Sequence, residues 1–152
     1  MYAFGHNDCH QLGLPGPFVQ DQVQVVQFFR DAKEKIVSMF CGTKHSLVLT
    51  KSGLVYAFGS NEYGQLGISD ISNPNHLPIK VLLYGLSSHI ACGAFSSYCV
   101  SGNELFCWGL NSDGQLGLGD YQNRSVPSYV PSLTKCKVFK ISSGISHTLV
   151  LA

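Results

Sequence analysis

The chain has 152 residues, of which 45% are hydrophobic and only 12% are charged, so a packed core is expected and an intrinsically disordered chain is excluded. The formal net charge is +1 without a basic stripe, which argues against a protein that binds nucleic acid or an anionic membrane. No apolar run approaches the roughly 18 residues that a membrane-spanning helix needs.

In chain order, the first feature is a motif that occurs three times. It reads YAFGHNDCHQLGL at residues 2–14, YAFGSNEYGQLGI at 56–68 and FCWGLNSDGQLGL at 106–118. Its glycines Gly5, Gly59 and Gly109 lie 54 and 50 residues apart. Self-similarity at such a period predicts a repeat architecture.

A second motif lies between the copies of the first. It reads IVSMFCGTKHSLVL at residues 36–49, HIACGAFSSYCV at 89–100 and ISSGISHTLVL at 141–151. Its glycines Gly42, Gly93 and Gly144 are each 51 residues apart. Two independent motifs therefore share nearly the same period, which establishes the repeat.

Each copy has the pattern of a β-hairpin. Residues 46–50 and 54–58 are short apolar, β-branched and aromatic runs on either side of Lys51-Ser52-Gly53. The equivalent turn at 101–104 is one residue shorter, and its Gly102-Asn103 pair suits a two-residue primed turn because glycine adopts positive φ without strain. Hairpins without a helical period predict an all-β fold.

Variable connectors follow the first motif at residues 15–35, 69–88 and 119–140. In the first connector, alternating Val and Gln at 22–25 predicts a half-exposed strand, and residues 28–35 have a weak helical pattern. Prolines in the other two predict edge strands and loops; they are Pro74, Pro78, Pro127 and Pro131. Four tyrosines are expected to be partly exposed: Tyr63, Tyr98, Tyr121 and Tyr129.

The loop Asn-x-x-Gly predicts a turn in which Asn bonds its own backbone and Gly adopts a left-handed conformation. In the first copy His10 replaces that glycine, so we expect either strain at His10 or a rebuilt loop. We assign a structural role to the repeated residues of both motifs. They are Gly5, Gly13, Gly42, His45, Gly59, Asn61, Gly64, Gln65, Leu66, Gly67, Gly93, Trp108, Gly109, Asn111, Gly114, Gln115, Leu116, Gly117, Gly144 and His147.

Six cysteines form neither a CxxC pair nor the dense framework of a disulfide-rich scaffold. Cys41 and Cys92 each precede a repeat glycine, where Ser143 stands in the third copy, so the position accepts small residues rather than metal ligands. We expect reduced, buried cysteines and, with a repeat motif that begins at Tyr2 and leaves no room for a signal peptide, an intracellular protein of the cytoplasm or nucleus.

Together these motifs resemble the repeat of the regulator of chromosome condensation family. Residues 141–151 fit the first half of that repeat, and residues 54–67 and 105–117 fit the second half. Five positions depart from the family pattern: Phe4 and Phe58 replace tryptophan, Phe40 replaces a small residue, Ser96 replaces histidine and His10 replaces the loop glycine. The resemblance implies antiparallel four-stranded blades of a seven-bladed β-propeller.

The chain holds about three repeats of that propeller in a cyclic offset, with boundaries near 1–35, 36–88, 89–140 and 141–152. We expect one partial propeller domain, an open arc whose ends lie apart, and a piece of a longer propeller. Assembly of several copies into a ring is the alternative, because open blade edges could also pair with one another.

Catalytic chemistry is not predicted. His45 and His147 recur at one repeat position, 102 residues apart, so we expect structural histidines that bond backbone between strands rather than a general base. His6, Cys9 and His10 could suggest zinc, but no second cluster has matching spacing. No phosphate-binding loop is present. We therefore expect no enzyme, no cofactor and no metal.

By resemblance, members of this family exchange guanine nucleotide on a small nuclear GTPase, bind chromatin, or serve as scaffold domains of ubiquitin ligases, kinases and ciliary proteins. We expect a non-catalytic protein–protein interaction module that acts as a scaffold. The alternative is a fragment of a guanine-nucleotide exchange factor for a Ran-type small GTPase. Expected partners are other proteins, among them a small GTPase, without membrane or direct nucleic-acid contacts.

Overall fold

The computed structural model describes residues 1–16, 18–70 and 75–152. All the strands in this part of the chain pair antiparallel. The elements are β1 (Tyr2–His6), β2 (Val19–Val25), α1 (Gln27–Asp31), β3 (Ile36–Cys41), β4 (His45–Thr50), β5 (Val55–Gly59), β6 (Asn75–Lys80), β7 (Ser87–Cys92), β8 (Ser96–Ser101), β9 (Glu104–Gly109), β10 (Arg124–Tyr129), a 3-10 turn (Pro131–Leu133), β11 (Lys140–Ser143) and β12 (Thr148–Leu151).

The strands form two complete blades and two half blades. Strands β3-β4-β5-β6 make the first four-stranded sheet and β7-β8-β9-β10 the second, each in chain order. Strands β1-β2 and β11-β12 make separate two-stranded sheets. The predicted all-β propeller blades are thus confirmed, as is the open arc, because among the described residues β1 and β12 lie in different sheets.

The hairpin turns follow the glycine chemistry of the sequence. Gly102 and Asn103 have φ of 58° and 70°, and Ser101 pairs with Glu104 across them, so the two-residue primed turn is confirmed. In the longer turn, Gly53 has a φ of 77° and the N–H of Thr50 donates to the carbonyl oxygen of Leu54 at 2.9 Å. Both turns hold the two central strands of a blade in register.

The hydrophobic core lies between neighbouring sheets. Leu47, Leu66 and Trp108 belong to a cluster between the two complete blades. A second cluster joins β7-β10 to β11-β12, and a third joins β1-β2 to the first complete blade. Every residue of β4 and of β8 is buried, because these strands are covered on both faces. Each blade therefore depends on its neighbours for stability.

The first connector differs from its prediction in two ways. Strand β2 forms, but Val23 and Val25 are both exposed, because β1-β2 is the first sheet of the arc and packs against a described sheet on one face only. The expectation of a half-buried strand was therefore wrong. Helix α1 begins one residue before the predicted segment and ends early, because Lys33 takes a left-handed φ of 56° just beyond the last turn.

The prolines behave as predicted where the structure describes them. Pro78 lies in β6 and Pro127 in β10, the outermost strands of their blades, and Pro131 starts the 3-10 turn. An outermost strand tolerates proline, which has no backbone N–H, because the open side of that strand needs no donor for a ladder hydrogen bond. Pro74 lies outside the described residues.

The cysteines are all free, but only some are buried. Cys92, Cys99 and Cys107 are buried, whereas Cys41 and Cys136 are exposed. The thiol of Cys92 lies 3.5 Å from the carbonyl oxygen of Phe40 on the innermost strand of the preceding blade. Cys41 has the equivalent place in its blade, but the sheet before it is only the pair β1-β2. The prediction of buried cysteines was thus wrong for Cys41 and for Cys136, which lies in the connection β10–β11, and Cys9 is only half-buried.

Candidate functional site

The Asn-x-x-Gly-Gln-Leu-Gly loops close on their own polar side chains. Asn61 is buried, and its Oδ1 accepts the N–H of Leu66 at 2.9 Å while its Nδ2 donates to the carbonyl oxygen of Asp70 at 2.7 Å. Oε1 of Gln65 accepts the N–H of Tyr63 at 2.8 Å. The third copy repeats these three bonds with Asn111, Leu116, Asp120, Gln115 and Asp113. These side chains shape the loops that connect the third and fourth strands of a blade.

His10 adopts the glycine conformation of its loop. Its φ is 61°, beside 83° at Gly64 and 73° at Gly114. The loop is therefore not rebuilt, and the alternative of local strain is the one that the structure supports.

His45 joins the first complete blade to the second. Its Nε2 lies 3.0 Å from the hydroxyl of Ser97, which donates to the carbonyl oxygen of Gln65 at 2.7 Å. The indole N–H of Trp108 donates to the same oxygen at 2.9 Å. The ring of His45 thus bonds a hydroxyl of the next blade, and the backbone of Ser96 in that blade also interacts with it. Burial lowers the pKa of His45 to about 4, so the ring is neutral.

Tyr98 replaces the histidine at the next junction. Ser96 stands at the repeat position of His45 and is too short to reach the following sheet. The hydroxyl of Tyr98 accepts a hydrogen bond from Thr148 at 2.7 Å and donates to the carbonyl oxygen of Gln115 at 3.0 Å. Tyr98 is only 1% exposed, so the expectation of partial exposure was wrong for this tyrosine.

An aromatic ring packs on the last glycine of the loop at the junctions between neighbouring sheets, but the equivalent position next to β12 is empty among the described residues. A Cβ on Gly67 would lie 2.8 Å from the ring of Trp108, and one on Gly13 would lie 3.1 Å from the ring of Phe58. A Cβ on Gly117, the third copy, would meet nothing within 4 Å among the described residues. His147 is exposed beside this position. A groove of about 410 Å³ lies here, lined by residues that include Gly117, His147 and Thr148.

The buried thiols and the metal-binding residue types do not form a reactive cluster among the described residues. Burial raises the pKa of Cys99 and of Cys107 to about 12, so both thiols remain protonated. Residues 1–16, 18–70 and 75–152 contain no group of three or more His, Cys, Asp or Glu side chains that could hold a metal ion. No described helix is long and apolar enough to cross a membrane.

A protein-family model matches the sequence of this chain three times, once for each repeat. The model of the "Regulator of chromosome condensation (RCC1) repeat" matches residues 1–49, 52–100 and 103–151. The chain belongs to the regulator of chromosome condensation repeat family. Each matched repeat contains the two outer strands of one blade and the two inner strands of the next, so the chain's two complete blades lie between two half blades.

Several relatives carry similar repeats in longer chains. The regulator of chromosome condensation of Mus musculus is 30% identical over 99% of this chain and 37% of its own length. The X-linked retinitis pigmentosa GTPase regulator of Homo sapiens is 36% identical over 86% of this chain and 13% of its own length. The human probable E3 ubiquitin-protein ligase HERC6 is 31% identical over the whole chain and 15% of its own length.

Solved structures of repeat-family propellers share the fold. Human WBSCR16 superposes with a TM-score of 0.85 and 28% identity over 99% of this chain. Prp20p of Saccharomyces cerevisiae, whose structure was reported with its binding properties to Gsp1p and histones, has a TM-score of 0.83 at 20% identity. The chain covers 40% and 38% of these two propellers, and about two fifths of the regulator of chromosome condensation relatives.

Proposed function

We propose that this chain is a non-catalytic protein–protein interaction module, a scaffold built of regulator of chromosome condensation repeats. The observation that carries the proposal is the use of the repeated polar residues. His45, Ser97 and Tyr98 bond one sheet to the next instead of converging on a site for a substrate. The loops and the two flat faces remain available to partner proteins.

The relatives support this proposal through their variety. Similar repeats occur in proteins named as a regulator of chromosome condensation, a GTPase regulator and probable ubiquitin ligases. In the last two classes the matched part is a small share of a long chain. A module common to such different proteins is more readily a binding scaffold than the source of one shared reaction.

The second candidate is part of a guanine-nucleotide exchange factor for a Ran-type small GTPase. It is favoured by the relatives named regulator of chromosome condensation and by the reported binding of Prp20p to Gsp1p. We rank it second because this chain covers only 37% of the mouse relative. Exchange on a GTPase requires a catalytic surface, and we cannot assign residues of these three repeats to such a surface.

We also propose the organisation and setting of the module. Residues 1–152 form a single partial propeller domain, with repeat boundaries near 35/36, 88/89 and 140/141. The unpaired edges of β1 and β12 associate with complementary blades, in a longer chain or in a second copy. The module acts inside the cell, in the cytoplasm or the nucleus.

The two candidates are separated by a nucleotide-release assay. The purified chain is mixed with a Ran-type GTPase loaded with fluorescent GDP, with intact mouse regulator of chromosome condensation as the positive control. We expect no acceleration of release. In parallel, proteins cross-linked to the chain in cell extract are made recombinantly and tested for direct binding. Acceleration that depends on chain concentration would favour the exchange factor, and no direct partner would contradict the scaffold.

A further inference from the structure

The charged side chains are segregated between the two faces of the propeller arc. Successive strands run in opposite directions, so the Asn-x-x-Gly loops all lie on one face, here called the loop face. The hairpin turns and the connections β2–β3, β6–β7 and β10–β11 lie on the other, here called the turn face. Eight of the ten basic residues belong to the turn face: Arg30, Lys33, Lys35, Lys51, Lys80, Lys135, Lys137 and Lys140.

The acidic residues have the opposite distribution. Asp8, Glu62, Asp70, Asp113 and Asp120 lie on the loop face, and only Asp31, Glu34 and Glu104 lie on the turn face. The ninth acidic residue, Asp21, lies within β2 and is counted on neither face. With two basic residues on the loop face, its formal charge is −3, while that of the turn face is +5. The near-neutral sequence therefore folds into a molecule with one acidic and one basic face, which the linear charge pattern did not indicate.

The basic side chains of the turn face are not taken up by internal ion pairs, although the ammonium group of Lys137 lies 5.3 Å from the ring centroid of Phe139. On the loop face, Lys44 pairs with Asp8 at 2.9 Å and Arg124 pairs with Asp120 at 2.6 Å. Within the described residues, no basic side chain of the turn face lies within ion-pairing distance of a carboxylate. All eight are exposed. A cluster of unpaired exposed cations favours an anionic partner.

An apolar ridge runs through this basic surface. Leu82, Tyr84 and Leu86, in the connection β6–β7, are 81%, 85% and 72% exposed. Two hydrogen bonds hold the backbone of this ridge in place. The hydroxyl of Ser101 donates to the carbonyl oxygen of Tyr84 at 2.6 Å, and the N–H of Gly102 donates to the carbonyl oxygen of Leu86 at 3.2 Å. The ridge thus presents large apolar side chains on a fixed backbone.

Lysines flank the ridge on both sides. Lys80 precedes it in the chain, and Lys51 lies in the hairpin turn whose Gly53 accepts the N–H of Ser87 at 3.0 Å. On the other side is a groove of about 580 Å³, with Lys135 and Lys137 in its wall and the buried Val100 and Val138 among its lining residues. Positive charge and apolar surface therefore alternate across the centre of the turn face.

We propose that the turn face of the two complete blades docks an acidic protein segment that carries large apolar side chains. Its carboxylates pair with Lys51, Lys80, Lys135 and Lys137, and its apolar side chains cover the ridge and enter the groove. The proposal rests on the function proposed above and names the chemistry of one partner of that module. Apolar anchors inside a charged rim are typical of protein interfaces.

The same surface is a poorer match to nucleic acid. Phosphate and sugar contacts need donors, and the lysines provide them, but a polyphosphate backbone offers nothing that would bury Leu82 and Leu86. The chain has only two arginines, Arg30 and Arg124, and Arg124 is already paired with Asp120. Guanidinium groups are the side chains that bind phosphate in bidentate geometry. The exposed apolar ridge therefore favours an acidic protein segment over nucleic acid as the partner.

The test measures the binding of three labelled probes by fluorescence anisotropy at 50 and 200 mM salt. The first is a 16-residue peptide in which Asp and Glu alternate with Leu and Phe. The second has Ser in place of its apolar residues, and the third is a 20-base-pair DNA duplex. We expect the first peptide to bind most tightly. Its affinity should fall with salt, and the serine peptide should bind at least tenfold more weakly.

Matched variants locate the site. Lys135→Gln with Lys137→Gln and, on the loop face, Ser112→Glu with Gln122→Glu each lower the net charge by two. We expect the first pair to weaken peptide binding at least tenfold and the second to change it less than twofold. Leu82→Ser with Leu86→Ser should also weaken it at least tenfold. All six positions are exposed, and fluorescence of the single Trp108 reports whether each variant is folded.

Three outcomes would overturn the proposal: equal weakening by the two charge variants, no loss on removing the ridge leucines, or tighter binding of DNA than of the first peptide. Failure of all three probes to bind would also overturn it. None of these results bears on the nucleotide-release and cross-linking experiments, so the docking surface and the scaffold function can fail separately.

Discussion

His10 shows the cost of a single residue in a repeated loop. Two of the three loops have glycine with positive φ at this position, and His10 adopts the same conformation with a side chain. A left-handed conformation costs a non-glycine residue about 1 kcal/mol. We expect His10→Gly to raise the free energy of unfolding by roughly that amount, measured by urea denaturation with Trp108 fluorescence.

Two variants control this prediction. His10→Ala removes the imidazole but keeps the strained φ, so it should give no gain. Gly114→Ala should lose stability by about the amount that His10→Gly gains, because a Cβ at Gly114 would meet only the ring of Tyr121, at an unstrained 3.6 Å, and the conformational cost remains. A gain in His10→Ala equal to that in His10→Gly would show that the side chain, not the backbone, causes the strain.

His45 makes stability depend on pH. Its pKa is about 4 in the folded chain and 6.5 in the unfolded reference, so below pH 6.5 the unfolded chain binds a proton that the folded chain does not. Stability is therefore complete above pH 6.5 and decreases as the pH falls towards 4. The difference in pKa corresponds to a loss of about 3 kcal/mol.

Urea denaturation at pH 7, 5.5 and 4 measures this effect. His45→Gln has no titrating group at the position, so its stability should fall much less over the same range, although it should be lower than that of the wild-type chain at pH 7. Equal pH dependence of the two proteins would assign the effect to other groups.

At the scale of the elements, the junctions between sheets carry the stability of the arc. The first complete blade uses His45 and Ser97, and the second reaches the same geometry with Tyr98 and Thr148. In both cases the hydroxyl on the following sheet also lies within hydrogen-bonding distance of a glutamine carbonyl oxygen, that of Gln65 or that of Gln115. Tyr98, two residues further along the same strand, thus compensates for the serine that replaces histidine at position 96.

Tyr98→Phe tests this compensation. It removes one hydroxyl and leaves a buried carbonyl oxygen with one fewer donor, so we expect a loss of about 1–3 kcal/mol in stability. Hydrogen exchange should increase in β11 and β12, which this junction holds. In a double-mutant cycle with Thr148→Val, the two losses should not add, because both variants break the same bond. Additive losses would show that the two hydroxyl groups act independently.

The elements themselves could be predicted well because the period identifies equivalent positions. Gly102 and Asn103 were assigned to a primed turn from their residue types alone, and the structure has both at positive φ. Properties that depend on the neighbouring sheet could not be predicted in this way. The exposure of Cys41 and of Val23 depends on the first sheet having two strands, and the burial of Tyr98 depends on a partner 50 residues away.

At the scale of the whole molecule, the two ends of the arc are complementary. Strand β1 corresponds to β5 in the repeat, and β12 corresponds to β4, which pairs with β5 through His45 and Gly59. The same register would place His147 opposite Gly5 of a second copy and its Phe4 over the open position at Gly117. We therefore expect head-to-tail association of the isolated chain, with β12 of one copy beside β1 of the next.

Light scattering after size-exclusion chromatography over a range of concentrations measures this association. The variant Leu149→Lys with Leu151→Lys adds charge to the exposed side chains of β12, which are 69% and 62% exposed, and should shift the mass to that of a monomer. Leu82→Lys with Leu86→Lys adds the same charge on the turn face and should leave the association unchanged. A wild-type chain that stays monomeric at every concentration would contradict the pairing of these edges. Loss of association in both variants would instead assign it to general hydrophobic contact.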